Sequence, residues 1–240
     1  LRHLLVEERI ATLLADRAAT IEGSGLPLEH GIALEARLGR AVLAEARRGA
    51  ARFAGVDADN IIPGNGSMEI IRLVAEAAIE KGDTVAIPSP TFGEYERQCL
   101  LFGARIRHLP FRDIMNEKYG QLKGCKAAFF CNPNNPDGRL FTAKQIENIV
   151  RYCGDNDVIA VVDEAFIDLA DPAQSVAGLV DKYEYSLVMR PLIKCFSIPG
   201  LRLGFGIAGK EAADVLNSLR LTWNLDSVAA EIGAYYMDNA

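Results

Sequence analysis

The sequence predicts an α/β fold, a mostly parallel sheet flanked by helices, and three observations carry that expectation. From about residue 61, short runs of β-branched and aromatic residues alternate with longer stretches of helical period. Half of the 240 residues are hydrophobic and 24% are charged, which is enough to bury a sizeable core. The glycine, proline and polar punctuation gathers after the short runs instead of spreading evenly.

The N-terminal part is the most helical. Residues 1 to 20 and 32 to 54 set Leu1, Leu5, Leu13 and then Leu34, Leu38, Val42 at helical spacing, which predicts two amphipathic helices joined by the loop EGSGLP. Strands are predicted at 84–87 (TVAI), 104–109 (ARIRHL), 127–131 (AAFFC), 158–162 (VIAVV), 186–189 (SLVM) and 204–208 (GFGIA). Between them SMEIIRLVAEAAIEKG, GEYERQCLLFG and AKQIENIVRYCGD read as helices, and EAADVLNSLR and WNLDSVAAEIGAYYMD as two more. Residues 1–54 form a helical segment and 55–240 the sheet domain. A start at Leu1 without methionine and an end at YYMDNA predict a piece of a longer chain.

Composition narrows the partners. The net charge of −6 arises from intermixed signs without a basic block, so neither nucleic acid nor an anionic membrane surface is expected. Cysteines 99, 125, 131, 153 and 195 show no paired short spacing and the three histidines are scattered, which points away from a disulfide framework or a zinc site and towards a cytoplasmic protein.

Ligands of open α/β sheets bind outside the carboxyl ends of the strands, so the loops PSPTFGEY, NPNNPDG, DEAF and RPLIK are expected to line one crevice. In PGNGSMEII, Gly64 and Gly66 permit a tight turn, and Ser67 opens a helix whose free N–H groups can hold a phosphate; the plainer reading makes Ser67 an ordinary N-cap. Asp163 follows a strand expected to be buried and needs a cation or donors to stay ionised, with a helix cap as the plainer alternative. Phe92 is either a stacking face or a core plug. Lys194 has Leu192, Ile193, Cys195 and Phe196 around it, which predicts a partly desolvated amine, the kind that forms a Schiff base with a carbonyl.

PGNGSMEII, PSPTFGEYE, NPNNPDG, VVDEAFIDL and IKCFSIPGLRLGF occur in the order found in fold-type-I, pyridoxal-phosphate-dependent class I/II aminotransferases, and the chain resembles that family across roughly residues 55 to 235. The resemblance is closest to the branch holding threonine-phosphate decarboxylase and histidinol-phosphate aminotransferase, and leans to the decarboxylase on DEAFID and on Trp223. It implies pyridoxal 5'-phosphate as cofactor, with Lys194 as covalent anchor, Asp163 on the pyridine nitrogen, Asn135 on the ring oxygen and Phe92 stacked on the ring. Gly66, Ser67 and Met68 offer backbone N–H groups to the phosphate, and Arg202 binds it as a charged fork. Phe166 stands at the cofactor where many relatives place a tyrosine. A phosphorylated amino acid or amine as substrate and a homodimer are further implications.

The chain also departs from the family pattern. Pro191 and Ile193 in PLIK replace two hydroxyl residues, which predicts a weakened cofactor grip. The small C-terminal domain, with the arginine that clamps the substrate carboxylate, is expected to be missing. Those departures favour a rival reading, a degenerate and non-catalytic member of the fold. A nucleotide-binding domain is a third reading, and the turn at 64 to 66 lacks the G-x-G-x-x-G spacing it needs.

Overall fold

The computed structural model describes residues 31–221 and 224–240, so the predicted helix over 1 to 20 and Trp223 lie outside the described residues. In chain order the elements are α1 (Gly31–Ala54), β1 (Ile61–Gly64), α2 (Ser67–Ala78), β2 (Thr84–Ser89), α3 (Glu94–Leu101), β3 (Arg105–Pro110), α4 (Phe111–Met115) and β4 (Ala127–Cys131). They continue with α5 (Ala143–Gly154), β5 (Ile159–Asp163), α6 (Ile167–Ala170), β6 (Ser186–Pro191), α7 (Leu192–Cys195), β7 (Gly204–Ala208), α8 (Lys210–Ser218) and α9 (Ser227–Asp238).

The strands form one seven-stranded sheet in the order β1-β7-β6-β5-β4-β2-β3. Pairs from β3 through β6 are parallel, whereas β7 runs antiparallel to both β6 and β1. Side chains alternate across the pleat, so each central strand feeds two cores. Ala127 and Phe129 face one core with Ile70, Leu73 and Val74 of α2, while Ala128 and Phe130 face the other with Ile146, Ile149 and Val150 of α5. Burial on both faces is why β4 and β5 read as unbroken apolar runs in the sequence.

All six predicted strands are present, each within a residue or two of its predicted ends. The seventh, β1, went unpredicted because IIPG is short and contains Pro63; the strand lies at the sheet edge, where the missing proline N–H interrupts no central ladder. Helix α5 begins on a capping box, with the Gln145 backbone N–H donating to the Thr142 hydroxyl at 3.2 Å and the Thr142 backbone N–H donating to the Gln145 side chain at 2.9 Å. Helices α1 and α9 pack together, and the Arg52 guanidinium donates to both carboxylate oxygens of Asp238 at 2.9 Å. Among the described residues, no helix is long and apolar enough to cross a membrane.

Register fixes where the site sits. Gly64 pairs with Gly204, Gly204 with Pro191, and Asp163 with both Met189 and Cys131, so the carboxyl ends of β1, β6, β5 and β4 line one edge of the sheet.

Candidate functional site

The glycine turn between β1 and α2 forms one end of the site. Gly66 takes φ +74° and ψ 173°, a region open essentially to glycine alone, and is the N-cap of α2 without a side-chain capping bond. Ser67 is therefore the first helical residue and not the N-cap, which corrects the plainer expectation for it. The first N–H groups of an α-helix have no acceptor within it, so Ser67 and Met68 open the helix with donors available to an anion. Gly66 behaves otherwise than expected: its own N–H donates to the Gly64 carbonyl at 2.8 Å, so it shapes the turn and is not an anion donor here.

Arg202 completes this end. A methyl group on Gly66 would sit 2.9 Å from Nη2 of Arg202, and one on Gly204 would meet the Pro191 Cα at 3.0 Å and the Ser67 nitrogen at 3.2 Å. Bare glycines thus let the guanidinium, the start of α2 and the end of β6 approach each other closely. Glu69 holds the turn from below, accepting from the Asn65 backbone N–H at 2.7 Å and from the Asn224 amide at 2.8 Å. Pro191 is buried and Ile193 half-buried, so neither position of PLIK supplies a hydroxyl to this cradle.

Lys194 lies on α7, directly after β6, and is exposed, which corrects the expectation of a desolvated amine. Successive residues of a helical turn point about 100° apart, so Leu192 turns into the core while Lys194 faces out. Its Nζ lies 5.8 Å from the ring centroid of Phe166, which is half-buried just past β5. Of the predicted residues, these two are therefore close neighbours.

Asp163 ends β5 and is 3% exposed. It has the donors that the sequence argument required: the Tyr95 hydroxyl donates to Oδ2 at 2.6 Å and the Ala165 N–H donates to Oδ1 at 3.1 Å. Burial still outweighs both and pushes the carboxyl up to about 6. A cation or an N–H placed beside it would draw it back towards the ionised form.

In the NPNNPDG loop the three asparagines divide the work. Asn132 exchanges hydrogen bonds with the Phe141 backbone at 2.8 and 3.1 Å, and Asn134 donates to the Pro90 carbonyl and to Asp137 while accepting from the Thr91 hydroxyl. Both are buried struts that tie this loop to the one after β2. Asn135 is half-buried, and among the described residues its side-chain amide takes none of the loop's hydrogen bonds. Phe92 is half-buried as well, its ring edge-on to Tyr95 with centroids 5.4 Å apart.

Two residues of this region were not singled out in the sequence. Tyr95 is fully buried and stacked on Phe129 at 5.3 Å, and its helical setting in GEYERQCLLFG reads as packing. Arg190 precedes the lysine by four positions and is 6% exposed. It ion-pairs with Asp168, lies 3.8 Å from Glu164 and sits over the Phe53 ring at 4.8 Å. The strand pattern SLVM conceals it, since an arginine beyond an apolar run passes for a loop residue.

The residues present fit pyridoxal 5'-phosphate. An uncapped helix start under an arginine suits a phosphate, a buried carboxyl with remaining lone pairs suits a ring N–H, and a lysine on the same sheet edge suits an aldehyde. Among the described residues there is no cluster of histidine, cysteine and acidic side chains that could hold a metal ion.

Comparison with known proteins gives the family and the fold. The family described as "Aminotransferase class I and II" matches residues 33–240. A histidinol-phosphate aminotransferase of Ruminiclostridium cellulolyticum is 31% identical over 191 residues, covering 76% of this chain and 52% of that protein. One from Thermoanaerobacter pseudethanolicus is 34% identical over 192 residues with the same coverage, so the chain spans about half the length of these relatives. In three dimensions the L-threonine-O-3-phosphate decarboxylase of Porphyromonas gingivalis superposes with a TM-score of 0.73 at 23% identity, over 81% of this chain and 61% of that one, which shows the shared fold. With that family matched over residues 33–240, the chain belongs to the class I and II aminotransferases.

Proposed function

We propose that this chain is the cofactor-binding part of a pyridoxal-phosphate enzyme that transfers the amino group of a phosphorylated amine of the histidinol-phosphate type. The observation that carries the proposal is the 31–34% identity to histidinol-phosphate aminotransferases over about three quarters of the chain. Bound here, pyridoxal phosphate supplies an electron sink for a bond broken at the substrate's Cα.

The chain's residues supply the rest. Ser67 and Met68 N–H groups and the Arg202 fork hold the phosphate, Phe92 and Asn135 orient the ring, and Lys194 is the covalent anchor. Asp163, drawn to the ionised form by a ring N–H, keeps that nitrogen protonated. Lys194 is exposed, and as a free amine it would take the proton from the substrate's Cα as general base and pass it on to another atom as general acid. A homodimer belongs to the same proposal, and the exposed side chains of Leu169, Val228 and Tyr235 give it apolar surface to bury.

A second reading, phosphothreonine decarboxylation, is favoured by Phe166 beside Lys194, since a phenylalanine has no hydroxyl for the cofactor's ring oxygen. The deciding assay offers the protein histidinol phosphate with 2-oxoglutarate, and separately threonine phosphate. Glutamate formation supports transfer, CO2 release supports decarboxylation, and neither product in a cofactor-loaded protein supports the non-catalytic reading.

A further inference from the structure

We propose that Tyr95 is the positioning residue for the acid of this site: its hydroxyl fixes the rotation of the Asp163 carboxylate and holds it ionised at the position that receives the cofactor's ring nitrogen. The inference rests on the reading given under Proposed function for what Asp163 faces, but the coupling between the two side chains stands on this chain alone.

The geometry is specific. Tyr95 comes from α3 and Asp163 from the end of β5, and their 2.6 Å contact is wholly buried. The tyrosine ring is fixed on one side by Phe129, stacked at 5.3 Å, and meets Phe92 edge-on at 5.4 Å, so the hydroxyl has little freedom to leave. With Tyr95 on Oδ2 and the Ala165 N–H on Oδ1, both oxygens are held in one plane, and each keeps a lone pair for a further donor. Phe92, the predicted stacking ring, touches the same tyrosine, so one residue supports both the acid and the ring platform.

The neighbouring titratable groups leave Tyr95 as the donor. On β4 the residue opposite Asp163 is Cys131, whose thiol donates to the Pro133 carbonyl at 3.2 Å, also meets the Tyr95 hydroxyl, and is pushed up to about 12 by burial, so it stays a neutral neighbour of the pair. On β6 the residue opposite is Met189, which does not titrate. Glu164 is engaged by the Ser175 hydroxyl, the Val176 N–H and Arg190. Burial, reinforced by the Asp163 charge, holds the Tyr95 phenol well above its ordinary value, so it remains a donor wherever Asp163 titrates.

The test is a carbon-13 titration of the cofactor-free protein labelled at aspartate Cγ, with the Asp163 signal assigned by its loss in Asp163→Asn. Removing a hydrogen bond to a charged group predicts that Tyr95→Phe raises the Asp163 midpoint by about 1–2 pH units. Replacing Tyr95 by 3-fluorotyrosine, a stronger donor of nearly the same shape, lowers the midpoint. The fluorinated protein decides the matter if the phenylalanine variant does not fold. A midpoint that moves in neither variant overturns the proposal, whereas a wild-type protein that never retains pyridoxal phosphate counts against the functional reading and leaves this titration to be judged by itself.

Discussion

At the scale of single residues, Gly66 shows how closely the phosphate end is built. Any side chain there adopts a backbone region that costs about 1–3 kcal/mol, and its Cβ would stand 2.9 Å from the Arg202 guanidinium. Gly66→Ala is expected to lower stability by about that amount and to weaken pyridoxal phosphate binding at least tenfold, read by urea unfolding and by titration of cofactor absorbance. Asp163 yields a pH signature. Its folded-state value of about 6 lies above the ordinary 3.8, so the folded chain holds the proton more tightly than the unfolded one. The associated stability is therefore full below pH 4 and lost as the pH rises through 6. Asp163→Asn cannot titrate, so without cofactor its stability relative to wild type should improve by on the order of 2–3 kcal/mol between pH 4 and pH 7. A difference that stays flat across that window would show that the carboxyl is not held as a buried acid.

At the scale of elements, the lysine-bearing turn is braced by contacts that no local motif records. Arg190 joins the end of β6 to Glu164 beyond β5, to Asp168 on α6 and to Phe53 on α1. Phe196, just past α7, packs between Phe53 at 5.8 Å and Tyr236 of α9 at 5.1 Å. Removing one partner from a buried ion pair leaves the others uncompensated, so Arg190→Leu should destabilise the chain by about 3–5 kcal/mol in denaturant unfolding. A loss below about 1 kcal/mol would mean that Glu164 and Asp168 do not depend on it. This scale also marks how far the sequence could be read. Central strands were legible because burial on both faces demands apolar runs, and Lys194, Asp163 and Arg202 because charged residues at strand ends stand out. Tyr95 and Arg190 were not, since their partners lie 68 and 22 residues away and meet them only when the sheet is assembled. Lys194's exposure was also hidden, because apolar neighbours in sequence point elsewhere once the chain turns helical.

At the scale of the whole molecule, one antiparallel strand, β7, set between β6 and β1 brings the three into register, so that the glycine turn, Arg202 and Lys194 share one edge with Asp163. The chain has that edge although PLIK carries no hydroxyl side chain, and it spans about half the length of the relatives it matches. As proposed above, this edge holds pyridoxal phosphate through Lys194. The most direct measurement loads the purified protein with pyridoxal phosphate, removes the excess, reduces with borohydride and maps the labelled peptide. The expected result is a retained imine absorbance and a label on Lys194 that disappears in Lys194→Ala while the fold persists; a folded protein that retains no imine, or carries its label on another lysine, would overturn the assignment of Lys194.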